Sequence, residues 1–278
     1  TPSENTTPII AEYPSASENV PGPVLMAWTT VDDLSVDDEI AMGLFLSSVA
    51  GDPSTNLYRR LVDAQLRTIS CGATGVFGWI NSDDGHPLYI GLSNVDPSWM
   101  TVERLAEIRS QVVDELKRVS EYADGSEELT ALNDRVMARI IEARRDAKKF
   151  LGTPPGFGFR HASSAWMESL RQLERVSGFR KTPTMGPIYD RLVARLKEGT
   201  NVWRDLLRQI NILDRLPYVS TARPSPSLLQ RETDERHARM KGELRRLMGR
   251  YRVDDEQVAI QRYKSEYDAT TRLLDSIA

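Results

Sequence analysis

The sequence is poor in the groups from which catalytic centres are usually assembled. It has one cysteine, Cys71, so an internal disulfide is excluded while the redox compartment stays open. Cys71 precedes a glycine in an apparent strand with no histidine assignable to it, and reads as a small buried side chain rather than a nucleophile. The three histidines, His86, His161 and His237, lie in unrelated contexts, and none has another histidine three or four residues away. That excludes an HxxEH or HxxxH pair holding zinc on a helix face, and no metal site is expected in this chain. There is no GxSxG elbow and no P-loop. No apolar run is long enough to span a bilayer, so no membrane partner is expected. A net charge of -4 argues against a surface that tracks phosphate, and no nucleic-acid partner is expected.

What the chain does have is 40% apolar residues in 278, enough for a sizeable core. The most legible stretch is Ile40 to Leu66. Ile40, Ala41, Leu44, Phe45 and Val49 recur at helical spacing, widened by Met42 and Leu46, which predicts a helix buried on most of its circumference. Gly51 ends it. Asp52 or Ser54 is expected to cap a second helix with Leu57, Leu61 and Leu66 on one face. Asp32, Asp33, Asp37 and Asp38 surround the start of the first helix, where they suit its dipole; as a metal cluster they lack further ligands.

Residues 1–22, rich in Pro, Ser, Thr, Asn and Glu, read as a linker, as expected of a chain cut from a longer protein. Val24–Thr30 reads as a strand, and Thr68–Asn81 with His86–Val95 as an antiparallel hairpin across SDDG. Asp96-Pro97 is expected to open a helix striped by Val102, Leu105, Ile108, Val112, Leu116 and Val119. Asp124 and Glu127 are expected to open another, through Leu129, Leu132, Val136, Ile140 and Ala143. Arg139, Arg144, Arg145, Lys148 and Lys149 are assigned to its solvated face. A loop at Gly152–His161 anchored by Phe157 and Phe159, a short helix carrying Trp166, and two helical pieces hinged near Gly199 come next, then a last strand at Leu216–Ala222.

From Pro224 the character changes. Two charged helices, one lined by Met240, Leu244, Leu247 and Tyr251 and the other by Ile260, Tyr263, Tyr267, Leu274 and Ile277, predict an antiparallel hairpin. The expected fold is α+β, a mostly antiparallel sheet packed against helices and followed by this hairpin. The expected division is a linker at 1–22, an α+β domain at 23–222 and the hairpin at 223–278.

GDPSTNLYRRL, Gly51 to Leu61, resembles a segment of the pitrilysin/insulinase family of zinc metallopeptidases. Gly51, Ser54, Leu57, Tyr58 and Leu61 carry the likeness. RLPYVSTARPSPSLLQRETDERHARMKGELRRL, Arg215 to Leu247, resembles the passage by which the presequence-protease branch leaves its second domain for the hairpin joining its halves. Together the likeness covers most of Val24 to Ala278. It implies a LuxS/MPP-like metallohydrolase domain in a four-domain enzyme that closes a chamber around unfolded peptides. Zinc is expected in a catalytic domain outside this chain, where a zinc-activated water would attack with a glutamate as base. This chain has no such ligands, so no cofactor is expected in it. Family members also use an arginine and a tyrosine after the leucine-tyrosine helix; here Val62 and Thr68 stand there, and Arg67 does not restore the pair. The resemblance therefore implies a domain without catalytic residues, partnered by the catalytic and C-terminal domains of its parent. The alternative is a stand-alone interaction protein presenting the hairpin to a partner.

Overall fold

Alternation of Val24, Met26 and Trp28 with Leu25 and Ala27 gives a strand one buried face, and this strand is the hub of the sheet. The computed structural model describes residues 6–29, 34–81, 85–152 and 185–275. Its sheet contains β1 (Ile9–Pro14), β2 (Gly22–Trp28), β3 (Gly75–Ile80), β4 (Leu88–Val95) and β5 (Tyr218–Ser225), in the order β1-β5-β2-β4-β3. β2 pairs antiparallel with both β4 and β5, and β3 pairs antiparallel with β4. The register sets Met26 beside Ile90 and Val219, and Trp28 beside Leu88. The inward residues therefore form one apolar layer. The segment read as a linker contributes β1, for which Ile9 and Ile10 were the available signal.

The helices are α1 (Val36–Val49), α2 (Asn56–Leu61), α3 (Val102–Ser120), α4 (Glu127–Gly152), α5 (Met185–Lys197), α6 (Val202–Gln209), α7 (Pro226–Tyr251) and α8 (Glu256–Asp275), with a 3₁₀ turn at Pro97–Trp99. The fold is α+β. The chain divides into two compact units, one from the described parts of 1–11 and 19–223, the other from those of 12–18 and 224–278.

In the first unit α1 lies against β3 on one side and meets α2, α4 and α6 on others. Ala41, Met42, Phe45, Leu46 and Val49 are all buried, and the Phe45 and Trp203 rings stand 5.2 Å apart between α1 and α6. Gly78 lets the sheet come close, since a Cβ there would lie 3.4 Å from the Cβ atoms of Leu46 and Ala50. On the opposite face of the hairpin, Phe77, Trp79 and Tyr89 stack at 5.7 and 4.7 Å.

Local boundaries differ from expectation where several polar residues compete for one role. The strand expected from Thr68 starts only at Gly75, because 68–74 is irregular backbone tied by Asp96 N–H to Cys71 O and Thr74 N–H to Ser93 O. Asp96 caps only the 3₁₀ turn, and Thr101 caps α3, which leaves Val102 exposed. Ser126, not Asp124, caps α4: its hydroxyl accepts from Leu129 N–H, while Asp124 accepts from Asn201 N–H. The hinge between α5 and α6 is at Gly199, whose φ is +74°. The expected elements over 153–184, with Phe157, Phe159, His161 and Trp166, lie outside the described residues.

In the second unit Ser225 caps α7 and Pro226 is its first residue. Arg252, at φ +52°, turns the chain toward α8, which packs with α7 as a helical hairpin. Leu247 and Ala259 are buried between the arms, whereas Met240, Ile260, Tyr263 and Tyr267 are exposed. The stripe read as the inner face of α8 thus faces outward over its described side chains. Glu266 joins the arms by accepting from Arg250 and from the Tyr251 hydroxyl.

Gly91 tests the sheet. An added Cβ would lie 2.4 Å from Phe77 Cζ, so Gly91→Ala should push the Phe77 ring off Trp79 and cost about 1 kcal/mol, the low end for an overpacked site because Phe77 is partly exposed. Urea unfolding should show the loss, and adding Phe77→Ala should remove most of the clash.

Candidate functional site

The stop between α1 and α2 is built by short polar side chains. Ala50 N–H donates to Leu46 O, and the chain turns at Gly51, where a Cβ would lie 2.9 Å from Ser47 O. Asp52 Oδ1 accepts from both the backbone N–H and the hydroxyl of Ser54, at 2.8 and 2.5 Å. The cap position of α2 is held by Thr55, whose Oγ1 accepts from Gly51 N–H and donates to Asp52 O. Neither expected cap, Asp52 nor Ser54, occupies it. Leu57 and Leu61 are buried and Tyr58 packs on the core, but α2 ends at Leu61 and Leu66 is exposed.

Val62 closes α2 and packs against the core; Thr68 donates its hydroxyl to Gln111 Oε1 at 2.7 Å. Beside them, α2, α3 and the first turns of α4 wall a pocket of about 440 Å³. Asn56, Arg59, Arg60, Glu115, Arg118 and Arg135 are its principal polar lining.

Its centre is Glu115. This carboxylate is 2% exposed and accepts from Asn56 Nδ2 (2.8 Å), Arg60 Nη1 (3.2 Å), Arg118 Nε (3.0 Å) and Arg118 Nη2 (2.6 Å). Arg60 Nε also donates to Gln111 Oε1. Asn56 Nδ2 lies 3.0 Å from the Tyr122 hydroxyl, and Asn56 Oδ1 accepts from Arg135 Nη2. Arg135 Nε donates to the Ser48 carbonyl at 3.2 Å. Hydrogen bonding to Glu115 raises the Arg118 guanidinium pKa, while burial raises that of Tyr122 and lowers that of Arg135.

Of these residues only Asn56, Arg59 and Arg60 fall in the Gly51–Leu61 segment, and none of the three carries its family likeness. One signal is present: Glu115 falls inside the apolar stripe of α3, between Val112, Leu116 and Val119. A carboxylate there must be paired once buried. On α4, Arg139 pairs with Asp52 and Arg144 with Asp190, so these two arginines bridge to other elements instead of lying on a purely solvated face.

The histidines stay apart. His86 is buried, with Nδ1 3.8 Å from Glu39 Oε2, and His237 is exposed on α7. Burial raises the Cys71 thiol pKa. Among the described residues no group of three or more His, Cys, Asp and Glu side chains could hold a metal ion.

The geometry makes two measurable demands. Glu115→Ala leaves Arg60 and Arg118 without their carboxylate and should destabilise the fold by about 3 kcal/mol, the low end for a broken buried pair because Arg118 is half exposed; chemical denaturation checks it. The Asp52 carboxyl is held below its ordinary pKa chiefly by the Ser54 hydroxyl, so its contribution is present above the unfolded value and lost as pH falls through the folded one. Ser54→Ala should move the Asp52 titration, read by carboxyl NMR shifts, back toward the ordinary range.

No protein-family model matches the sequence, and no curated protein matches it. Among solved structures the chain is similar to a protein assigned as an M16-like peptidase from Alicyclobacillus acidocaldarius, at 16% identity and TM-score 0.48, over 79% of this chain and 44% of that one. It is similar to an inactive peptidase domain assigned to a zinc protease of Bordetella parapertussis, at 16% identity and TM-score 0.47, over 77% of this chain and 95% of that one. Pitrilysin matches at 14% identity and TM-score 0.44, over 80% of this chain and 20% of its own. The chain thus spans less than half the length of the first structure and about a fifth of pitrilysin. The similarity is to M16-like, pitrilysin-type zinc peptidases, the family that the Gly51–Leu61 segment resembles.

Proposed function

We propose that this chain is a non-catalytic domain, with its helical hairpin, of a larger pitrilysin-type zinc peptidase that encloses and degrades unfolded peptides. In this reading residues 23–222 form a LuxS/MPP-like domain shaping the chamber wall, 1–22 lead into it, and 223–278 are the hairpin toward the next half. Zinc, its activated water and the glutamate base belong to the catalytic domain of the parent, which is the partner of this one.

The observation that carries the reading is the Gly51–Leu61 segment together with Val62 and Thr68 just after it. Gly51, Ser54, Leu57, Tyr58 and Leu61 are occupied in turning the chain and filling the core. At the positions of the family's arginine and tyrosine, Val62 packs inward and Thr68 is hydrogen-bonded to Gln111. Neither side chain offers a cation or a phenol to a transition state.

A second reading, an interaction module, is favoured by one feature of the second unit: Ile260, Tyr263 and Tyr267 expose an apolar line on α8.

Expressed by itself, the chain should purify without stoichiometric zinc and should not cleave an unfolded peptide. Chelator-sensitive hydrolysis by the isolated chain would overturn the non-catalytic assignment. The same gene should encode an inverted HxxEH domain; a reading frame without one leaves the interaction module as the surviving reading.

A further inference from the structure

Glu115 neutralises only part of the pocket between α2, α3 and α4. Arg60 and Arg118 both spend their Nε and one Nη on Glu115 or Gln111. Arg135 is different: it is half-buried, yet its hydrogen bonds go to two neutral acceptors, the Ser48 carbonyl and the Asn56 amide oxygen. Among the described residues no carboxylate lies within ion-pair distance of Arg135 or of Arg59. Arg59 lines the same pocket, exposed, and its guanidinium makes no hydrogen bond or ion pair among the described residues. Its charge is close enough to oppose that of Arg135. Asp52 and Glu115 act on Arg135 only from beyond ion-pair distance, so a half-buried guanidinium and an exposed one stand at one cavity with no carboxylate bonded to either, and a bound anion would pair with both.

The lining also sets the class of anion. Glu127 and Glu128 stand on the α4 side of the pocket, and Glu128 is near enough to act on Arg118. The lining carries four guanidiniums (Arg59, Arg60, Arg118 and Arg135) and three carboxylates (Glu115, Glu127 and Glu128), a net charge of +1 that a monoanion neutralises and a dianion such as phosphate overshoots. Guanidinium forks match a carboxylate bidentately, as the Arg118–Glu115 pair already does here. The volume, about 440 Å³, admits a few residues of peptide rather than a bare ion.

We propose that this pocket binds the carboxylate of a peptide, held between Arg59 and Arg135, with Glu127 and Glu128 in the same lining disfavouring more highly charged anions. A C-terminus and an acidic side chain share this chemistry. The pocket would serve a peptide-enclosing domain or an interaction module alike, so its test is separate from that of the peptidase reading.

The test is calorimetric titration of the full chain at low ionic strength with four probes: N-acetyl-Ala-Ala-Ala as the free acid, the same peptide amidated, amidated N-acetyl-Ala-Glu-Ala, and inorganic phosphate. A carboxylate peptide should bind saturably, and the neutral amide at least roughly tenfold more weakly. Preference for the free acid assigns a C-terminus; preference for the Glu peptide assigns an acidic side chain. Arg59→Ala, which removes an exposed guanidinium with no side-chain partner among the described residues, should keep the wild-type melting temperature and lose about tenfold in affinity. Glu128→Gln should strengthen binding, and raised salt should weaken it. No saturable binding of either carboxylate, equal binding of the neutral amide, unchanged affinity in Arg59→Ala, or tighter binding of phosphate would each overturn the proposal.

Discussion

Close approach of α1 to the sheet governs the larger unit. Helix α1 is covered by β3 on one side and by α2, α4 and α6 on others, so it has almost no solvated face to carry polar residues. Its sequence complies from Ala41 to Ala50, where the polar exceptions are Ser47 and the buried Ser48. The fit also depends on what the sheet omits. A Cβ at Gly78 would already touch the Cβ atoms of Leu46 and Ala50 at 3.4 Å, so at crystal-like packing density a side chain longer than alanine has little room there. Helix and strand are thus matched: large residues on α1, none where β3 passes closest.

Burial all round creates an electrostatic difficulty at both ends of α1. At the N-terminus Glu39 is buried within the first turn, where the helix dipole favours its charge, and His86 stands 3.8 Å away. At the C-terminus the last carbonyls need donors. Arg135 supplies one to Ser48 O from α4, a long reach that brings a cation into a half-buried place with no carboxylate bonded to it. The positive charge left over beside α2 therefore originates in the helix that the core could not leave exposed.

Periodicity made the buried faces of α1, α3 and α4 legible, because burial selects residues at helical spacing regardless of sequence neighbours. It was less able to choose caps. Around Asp52, Ser54 and Thr55, or Asp124 and Ser126, each residue has the right chemistry, and the tertiary structure decides: Asp124 is taken by Asn201 N–H, so Ser126 is left for α4. The stripe on α8 shows a second limit. A pattern says that Ile260, Tyr263 and Tyr267 share a face, but Ala259 is the residue that meets α7, and the shared face is left exposed. The pocket was nearly invisible for a third reason, since Asn56, Glu115 and Arg135 converge from three helices and no spacing along one of them records that. Only Glu115, an acid in an apolar stripe, betrayed it.

The segment that carries the family likeness and the pocket prove to be one construction. Thr55 holds the cap position of α2, its hydroxyl tied back to Gly51 N–H and Asp52 O, and the next residue, Asn56, is the first of the helix. From there Asn56 donates to Glu115 and accepts from Arg135, joining the buried acid to the half-buried base through a neutral amide. An aspartate at 56 would neutralise Arg135 but stand against Glu115; an alanine would leave both without that link. The amide satisfies the two at once without cancelling the positive charge of Arg135. The turn that ends α1 therefore does more than redirect the chain, because its geometry holds at the wall of a cavity a guanidinium hydrogen-bonded only to neutral acceptors.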